Sequence, residues 1–508
     1  MHPLIQEIVS QQTPETLTAG LAGEAGVVLL RSYAPDNPGA RYSFVTADPF
    51  LTFRSFGSSC ELSQPAGRGG PGGWQAQFGN PWHLLEVLMA RYELLEEIDL
   101  PFPLGGAFGY WGYELKNFTE PKLPRRAVND LELPDCHVGF YDSLVVFDHQ
   151  LGRVMVVATG LAADGSRSER RAQERLQYWQ QRLIAGPAEP GPADVGHAPG
   201  PLPAMTWRSS LSREAFMAAV VRAQQYIRSG DIYQVNLSHR LTVASPAAGW
   251  SWFTRLAAAS PAPFAAYLDC DGGGGDKVGR YQLASSSPEQ FLRMSGAHIV
   301  TRPIKGTRPR HADANRDAQL AYELQTSAKE LAELVMITDL LRNDLGKVCE
   351  YGSVLTPEIA KLEKFAQVQH LVSTVEGRLR REVTHFAALA STFPGGSITG
   401  APKFRSMEII DELEPISRGP YCGCLGYLGF NRESQLNIAI RTAVCLDGQT
   451  HFNVGAGIVA DSDPAAEYEE TLAKARGFFA AAQWGELMTR DTAPSRADQP
   501  HRNIPQAD

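Results

Sequence analysis

Residues 393–415 read FPGGSITGAPKFRSMEIIDELEP. A glycine-rich turn runs into a helix predicted to begin near Pro402 and Lys403. Free backbone N–H groups at such a junction suit a carboxylate or phosphate. Two later segments point the same way. VGAGIVADSDP (454–464) offers a flexible approach through Gly455, Ala456 and Gly457. AIRTAVCL (439–446) sets Arg441 in an otherwise apolar strand, where an unpaired guanidinium is costly and calls for an anion, either protein or ligand.

Upstream, TRPIKGTRPR (301–310) surrounds Lys305 with Arg302, Arg308 and Arg310, and Gly306 frees the backbone beside it. The preceding YQLASSSPEQFLRMSGAHIVTRPI (281–304) reads as a hairpin turning at Ser295-Gly296. That turn would set Glu289 opposite Arg302 and Pro288 opposite Pro303, where two prolines end the ladder. Glu289 and Lys305 would then share the hairpin's open mouth.

Two helical segments carry paired carboxylates. DAQLAYELQTSAKELAELVMITDLLRNDLG (317–346) holds Glu330 and Glu333, and PAAEYEETLAKARGFFAAAQ (464–483) holds Glu467 and Glu470. Spacing of i,i+3 puts each pair on one helix face. Either pair alone is compatible with a solvated acidic face. Four carboxylates without histidine or thiolate suit a hard cation that keeps some waters, Mg2+ rather than zinc or iron.

The chain has 508 residues, enough for more than one core, with ordinary apolar (43%) and charged (20%) content. A net charge of −9 argues against nucleic acid as the main partner. Seven scattered cysteines without a C-x-x-C pair predict free thiols in a reducing compartment and no structural zinc. The N-terminus lacks a signal-peptide pattern and no long apolar run occurs, so a cytoplasmic protein with no membrane span is expected.

Residues 1–185 read as strands with some helix, as in RYSFVTADPFLTFRSFG (41–57) and FYDSLVVFDHQLGRVMVVAT (140–159). A Pro/Gly-rich stretch, 186–205, follows, and a polar tail at 489–508 is expected to be disordered. SREAFMAAVVRAQQYIRSGD (212–231) reads as a helix capped by Ser212 and ended at Gly230. DGGGGD (271–276) lacks the strand-to-helix setting of a phosphate loop and is expected to be a hairpin tip.

PIKGT, LLRNDLG, VQHLVS, FPGGSITGAPK, IIDELEP, AIRT and GAGIVADS occur in this order between about residues 212 and 480. Together they resemble the chorismate-utilising enzymes. GAFGYWGYEL (106–115) and SFVTADP (43–49) extend the resemblance to the group of anthranilate synthase and aminodeoxychorismate synthase component I proteins. It implies an α+β fold, two large β-sheets packed in a sandwich with helices outside. Residues 206–485 would be the chorismate-binding catalytic region, and 186–205 a surface loop rather than a hinge.

The resemblance also implies roles. Anthranilate synthases usually carry alanine in PIAGT, whereas aminodeoxychorismate synthases carry the lysine of PIKGT. Lys305 therefore implies 4-amino-4-deoxychorismate as product, on the route to p-aminobenzoate and folate, through a covalent lysine intermediate. Glu289 in SSSPEQF matches the family's acid–base glutamate, and His370 the histidine near C4 of the ring. Gly306, Thr307, Tyr421, Arg441, Gly455, Ala456 and Gly457 match carboxylate-binding positions. Glu333 and Glu470 would hold Mg2+, with Glu330 and Glu467 as outer or alternative ligands.

CGCLGY (422–427) superficially matches a glutaminase nucleophile loop, but no downstream His-x-Glu follows, so ammonia is expected from a separate glutamine amidotransferase subunit. LLRSYAPDNPGARYSF (29–44) departs from the tryptophan feedback pattern of relatives, and inhibition is not expected. The competing readings are anthranilate synthase component I, for which Lys305 is anomalous, and a non-catalytic chorismate- or tryptophan-binding protein.

Overall fold

The computed structural model describes residues 2–33, 40–64, 73–94, 100–186, 207–245, 248–270, 279–365 and 368–482. The 271–276 glycine run, nearly all of 186–205 and the 489–508 tail lie outside the described residues.

Two twelve-stranded antiparallel sheets make the frame. The first runs Leu4–Glu7, Arg153–Ala158, Ser143–Asp148, Tyr42–Thr46, Val28–Arg31, Phe264–Cys270, Tyr281–Ser287, Thr442–Leu446, Gln449–Ile458, Gln234–Ala244, Arg208–Ser209. Gly400–Ala401 adds to Gln234–Ala244 off this path. The second runs Ile304–Pro309, Val368–Arg378, His298–Arg302, Gln290–Ser295, Glu433–Ile438, Cys424–Gly429, Gly106–Trp111, Cys136–Tyr141, Leu51–Phe56, Ser59–Gln64, Gly73–Phe78. Leu355–Lys364 flanks Val368–Arg378 on its other side. Strands from both sides of residue 186 are direct neighbours: Val28–Arg31 pairs with Phe264–Cys270, and Gly106–Trp111 with Cys424–Gly429.

The β-branched runs explain the packing. Successive side chains of a strand point to opposite faces, so Val28, Phe44, Val146 and Val157 enter the core between the sheets. Their neighbours Leu29, Val45, Val145 and Val156 meet a second core under the outer helices. There Trp252 and Phe452 stack on Phe478 at 4.9 and 4.3 Å. Between the sheets, Phe44 meets Tyr427 edge-on at 5.2 Å, and the Tyr110 and Tyr281 hydroxyls are 2.9 Å apart. All seven cysteines are buried and none forms a disulfide. Among the described residues no helix is long and apolar enough to cross a membrane.

Ser212 caps the helix Arg213–Arg228 by accepting from the Ala215 N–H at 3.2 Å, and Gly230 lies just past its end with φ +79°. Each acidic segment differs from the single helix expected. The first is two helices, Ala314–Gln325 and Ala328–Gly346, because Ser327 leaves the helical conformation to cap the second. The other is Pro464–Lys474 and Arg476–Ala482, meeting at Ala475.

The expected hairpin is corrected more deeply. Its turn is Gly296-Ala297, with Ser295 opposite His298. Gly296 has φ +53°, and a two-residue loop of the II′ kind wants glycine at that first central position. A bulge then sets Gln290, not Glu289, opposite Arg302. Tyr281–Ser287 is no part of this hairpin; it pairs in the other sheet. Pro288 and Glu289 are where the chain crosses from one sheet to the other.

Candidate active site

A cavity of about 1360 Å³ lies between Gln449–Ile458 of the first sheet and Ile304–Pro309 of the second. The helices Ala328–Gly346 and Pro464–Lys474 flank it. Lys305, Glu289, His370, Gly306, Thr307, Tyr421, Arg441, Gly455 and Gly457 all line it, with Glu330, Glu333 and Glu470. Residues separated by up to 181 positions therefore meet in one chamber.

Lys305 gets there through a bulge. It faces Leu371 in the neighbouring strand, but Thr307 already faces His370, so Gly306 is an extra residue. Gly306 has φ +67°, and a Cβ there would fall 2.6 Å from Leu324 Cδ1 and 3.1 Å from Glu330 Oε2. Only glycine fits both the conformation and the gap. The Lys305 amine stands 3.8 Å from Glu333 Oε2. A Cβ at Gly457 would sit 3.7 Å from that amine and 2.5 Å from Gln234 Nε2, so a glycine keeps the strand close.

Glu289, at the crossover, is almost fully buried. Burial pushes its carboxyl up to about 7, against the Ser397 hydroxyl, the Lys305 charge and the Ile304 N–H, which all favour the carboxylate. A carboxylic acid poised near neutrality suits proton donation. His370 is pushed down to about 4 by burial and by the Arg441 charge. It is therefore neutral at pH 7. Its Nδ1 lies 3.0 Å from Thr307 Oγ1 and 3.3 Å from Gly306 O, which leaves Nε2 for a ligand.

Arg441, with φ +49°, makes no side-chain hydrogen bond or ion pair among the described residues, and burial holds its guanidinium below its usual pKa. A cation without a protein partner on a cavity wall is suited to an anionic ligand. Tyr421 approaches the glycine strand closely: a Cβ at Gly455 would lie 3.0 Å from Tyr421 Oη. Ala456, between the two glycines, turns its methyl into the core, so only its backbone could serve a ligand.

The two acidic helices, capped by Ser327 and Asp463, line the cavity from opposite ends, the first with Lys329, Glu330 and Glu333 near its start and the second with Glu470, Ala473 and Lys474 near its finish. Glu333 is raised by burial, against Lys305 and Lys329. Burial would raise Glu470 too, but Lys474 at 2.8 Å leaves it below the ordinary carboxylate value. Glu467 is raised by burial and sits behind the wall, accepting from Ser462 Oγ at 2.6 Å. Glu330 lies 3.5 Å from Arg308. Among the described residues no three metal-ligating side chains converge closely as they stand. An all-oxygen set offering one or two carboxylates, completed by water and substrate, is nonetheless what Mg2+ ordinarily uses. The residues fit that ion.

The anion site expected at Pro402 and Lys403 is absent from the wall. Lys403 Nζ is buried, donating to Asp344 at 2.5 Å and to the carbonyls of Thr392 and Pro394 at 2.9 and 2.8 Å. This ties the 393–403 segment to LLRNDLG and leaves Ser397 and Ile398 as its cavity contacts. Sequence reasoning missed Ser397, Gln234, Lys329 and Lys474. Gln234 donates to Glu333 at 3.3 Å, and Lys474 to Gly455 O at 2.9 Å.

Comparison with known proteins adds the family. Residues 43–480 match the chorismate binding enzyme family. Anthranilate synthase component 1 of Thermus thermophilus is 39% identical over 94% of this chain and 96% of its own. Aminodeoxychorismate synthase component 1 of Escherichia coli is 38% identical over 88% of this chain and 91% of its own. The crystal structure of anthranilate synthase component I from Streptococcus pneumoniae superposes with TM-score 0.72 at 30% identity, covering 86% of this chain and 92% of that one.

Proposed function

The chain belongs to the chorismate-binding enzymes, and from that premise we propose that it aminates chorismate at C4, as an aminodeoxychorismate synthase component I. The observation that carries this reading is the Lys305 amine, held in the cavity by the Gly306 bulge beside Glu333. Anthranilate formation has no use for an amine there.

Lys305 attacks C2 of the ring as the double bond shifts and the C4–O bond breaks. Glu289 gives its proton to the departing oxygen, which leaves as water. Ammonia then attacks C4, the double bond shifts back, and the C2–N bond to Lys305 breaks, releasing the amine. Two displacements retain the geometry at C4. Arg441, Tyr421, Gly306, Thr307 and the backbone of 455–457 bind carboxylate, and His370 stands near C4 of the ring. Glu333 and Glu470 would hold Mg2+, with Glu330 beside them and Glu467 behind. The ion, when bound, would bind the ring carboxylate and offset charge developing beside C2.

The relatives' names number each as one component, which supports a glutamine amidotransferase subunit as ammonia source. Seven thiols without a disulfide suit the reducing cytoplasm. Anthranilate synthesis is the competing reading, since relatives of both names match this chain at 39% identity. Chromatography of the product from chorismate, MgCl2 and ammonium chloride separates the two. 4-Amino-4-deoxychorismate is expected, with no turnover when glutamine replaces ammonium; anthranilate as the main product would overturn the reading.

A further inference from the structure

The four glutamates bring four negative charges together from two helices, and the chain already supplies cations against them. Lys305 stands 3.8 Å from Glu333, Arg308 3.5 Å from Glu330 and Lys474 2.8 Å from Glu470. Lys329 differs from these. It sits beside Glu330 on Ala328–Gly346, yet its ammonium reaches the other helix, 3.9 Å from Glu467 Oε1. Its charge bears on Glu333, Glu467 and Glu470 together. That is the position of a shared counter-ion.

We propose that Lys329 is the built-in counter-cation of the glutamate cluster, and that a divalent cation takes the cluster by displacing its ammonium into solvent. The proposal rests on the reading of these glutamates as Mg2+ ligands. Exposure supports the direction of exchange: the Lys329 side chain is 54% exposed, its Glu467 partner 5%. A long, half-exposed lysine can turn its head to water with little loss. Glu467 cannot follow it, and an uncompensated buried carboxylate is costly. Lys474 is a poorer leaving group, because Gly455 O holds it at 2.9 Å as well. The cluster therefore exchanges one cation for another instead of filling an unbalanced charge. Metal uptake would be weaker than four carboxylates suggest, and reversible.

The test is calorimetric titration of MgCl2 into the EDTA-treated full chain, comparing wild type with Lys329→Met, which keeps length and loses charge. Lys329→Met should bind Mg2+ about tenfold more tightly, since its competitor is gone. In EDTA it should melt at a lower temperature than wild type, and Mg2+ should raise its Tm by more. Lys329→Arg should restore the wild-type Mg2+ affinity. Unchanged or weaker Mg2+ binding by Lys329→Met overturns the exchange. Glu333→Gln and Glu470→Gln serve as controls: if both bind Mg2+ like wild type, the ligand reading itself has failed.

Discussion

The Lys305 amine lies 3.8 Å from Glu333 Oε2, although one sits on a sheet strand and the other on a helix. A bulge at Gly306 and a close approach at Gly457 are both needed to bring them together. Side chains larger than hydrogen at either glycine would push the lysine away from the carboxylates.

That placement predicts a covalent adduct. With chorismate and MgCl2 but no ammonia, the peptide containing Lys305 should gain the mass of chorismate less water. Rapid quench and peptide mass spectrometry read this directly. Lys305→Ala should lose the adduct and keep substrate binding. An alanine variant forming 4-amino-4-deoxychorismate at the wild-type rate would remove the lysine from the mechanism.

Glu289 predicts the pH profile. Its carboxyl is raised to about 7, so it holds a proton below that pH and has lost it above. A proton donor of this kind makes kcat/KM fall as pH rises through about 7. Glu289→Gln should lower the rate by about 10²–10⁴-fold and abolish that limb. Stability has the same sign. The folded value exceeds the ordinary 4.5, so the contribution is whole below about pH 4.5 and lost as pH rises through 7. Wild type should lose on the order of 3 kcal/mol relative to Glu289→Gln between pH 4.5 and 8, measured by denaturant unfolding.

Glu333→Gln and Glu470→Gln should each abolish Mg2+-dependent turnover while near-UV circular dichroism stays unchanged. Each removes one hard anionic oxygen from the set. Full turnover by either variant at limiting Mg2+ would move the ion elsewhere.

Arg441 separates binding from folding. Among the described residues its guanidinium has no partner to lose, so Arg441→Met should leave Tm unchanged or raise it. Losing charge-assisted hydrogen bonds to a substrate carboxylate, about 1.5–3 kcal/mol, should raise KM by roughly 10–100-fold. A variant with lower Tm and unaltered KM would make Arg441 structural.

Much of this was legible in the chain because backbone-determined features leave local marks. Ser212 and Gly230 bracket a helix by their own chemistry, and the alternating Val and Phe residues announce two-sided strands. The i,i+3 glutamates announced a shared face. The hairpin register was misread because glycine sits best at the first central position of its loop, and because Pro288 ends a strand of the other sheet. The glycine-rich helix start at Pro402 and Lys403 suggests a backbone anion site, yet Lys403 is tied to the buried Asp344 and the junction lies off the cavity wall. Gln234, Ser397, Lys329 and Lys474 carry no pattern of their own. Their importance comes from tertiary neighbours, such as Glu333 for Gln234, 99 positions away, and Glu467 for Lys329 on another helix. No local spacing encodes that.

Interleaving of strands from the two sides of residue 186 makes the chain divisible but not separable. A break anywhere within 187–206 cuts no described strand, so every described pairing survives it. Either fragment alone would expose Val28–Arg31 and Gly106–Trp111, or Phe264–Cys270 and Cys424–Gly429, as open edges prone to aggregation. Produced together, the two fragments should complement each other, and activity would then depend on their concentration like that of a heterodimer.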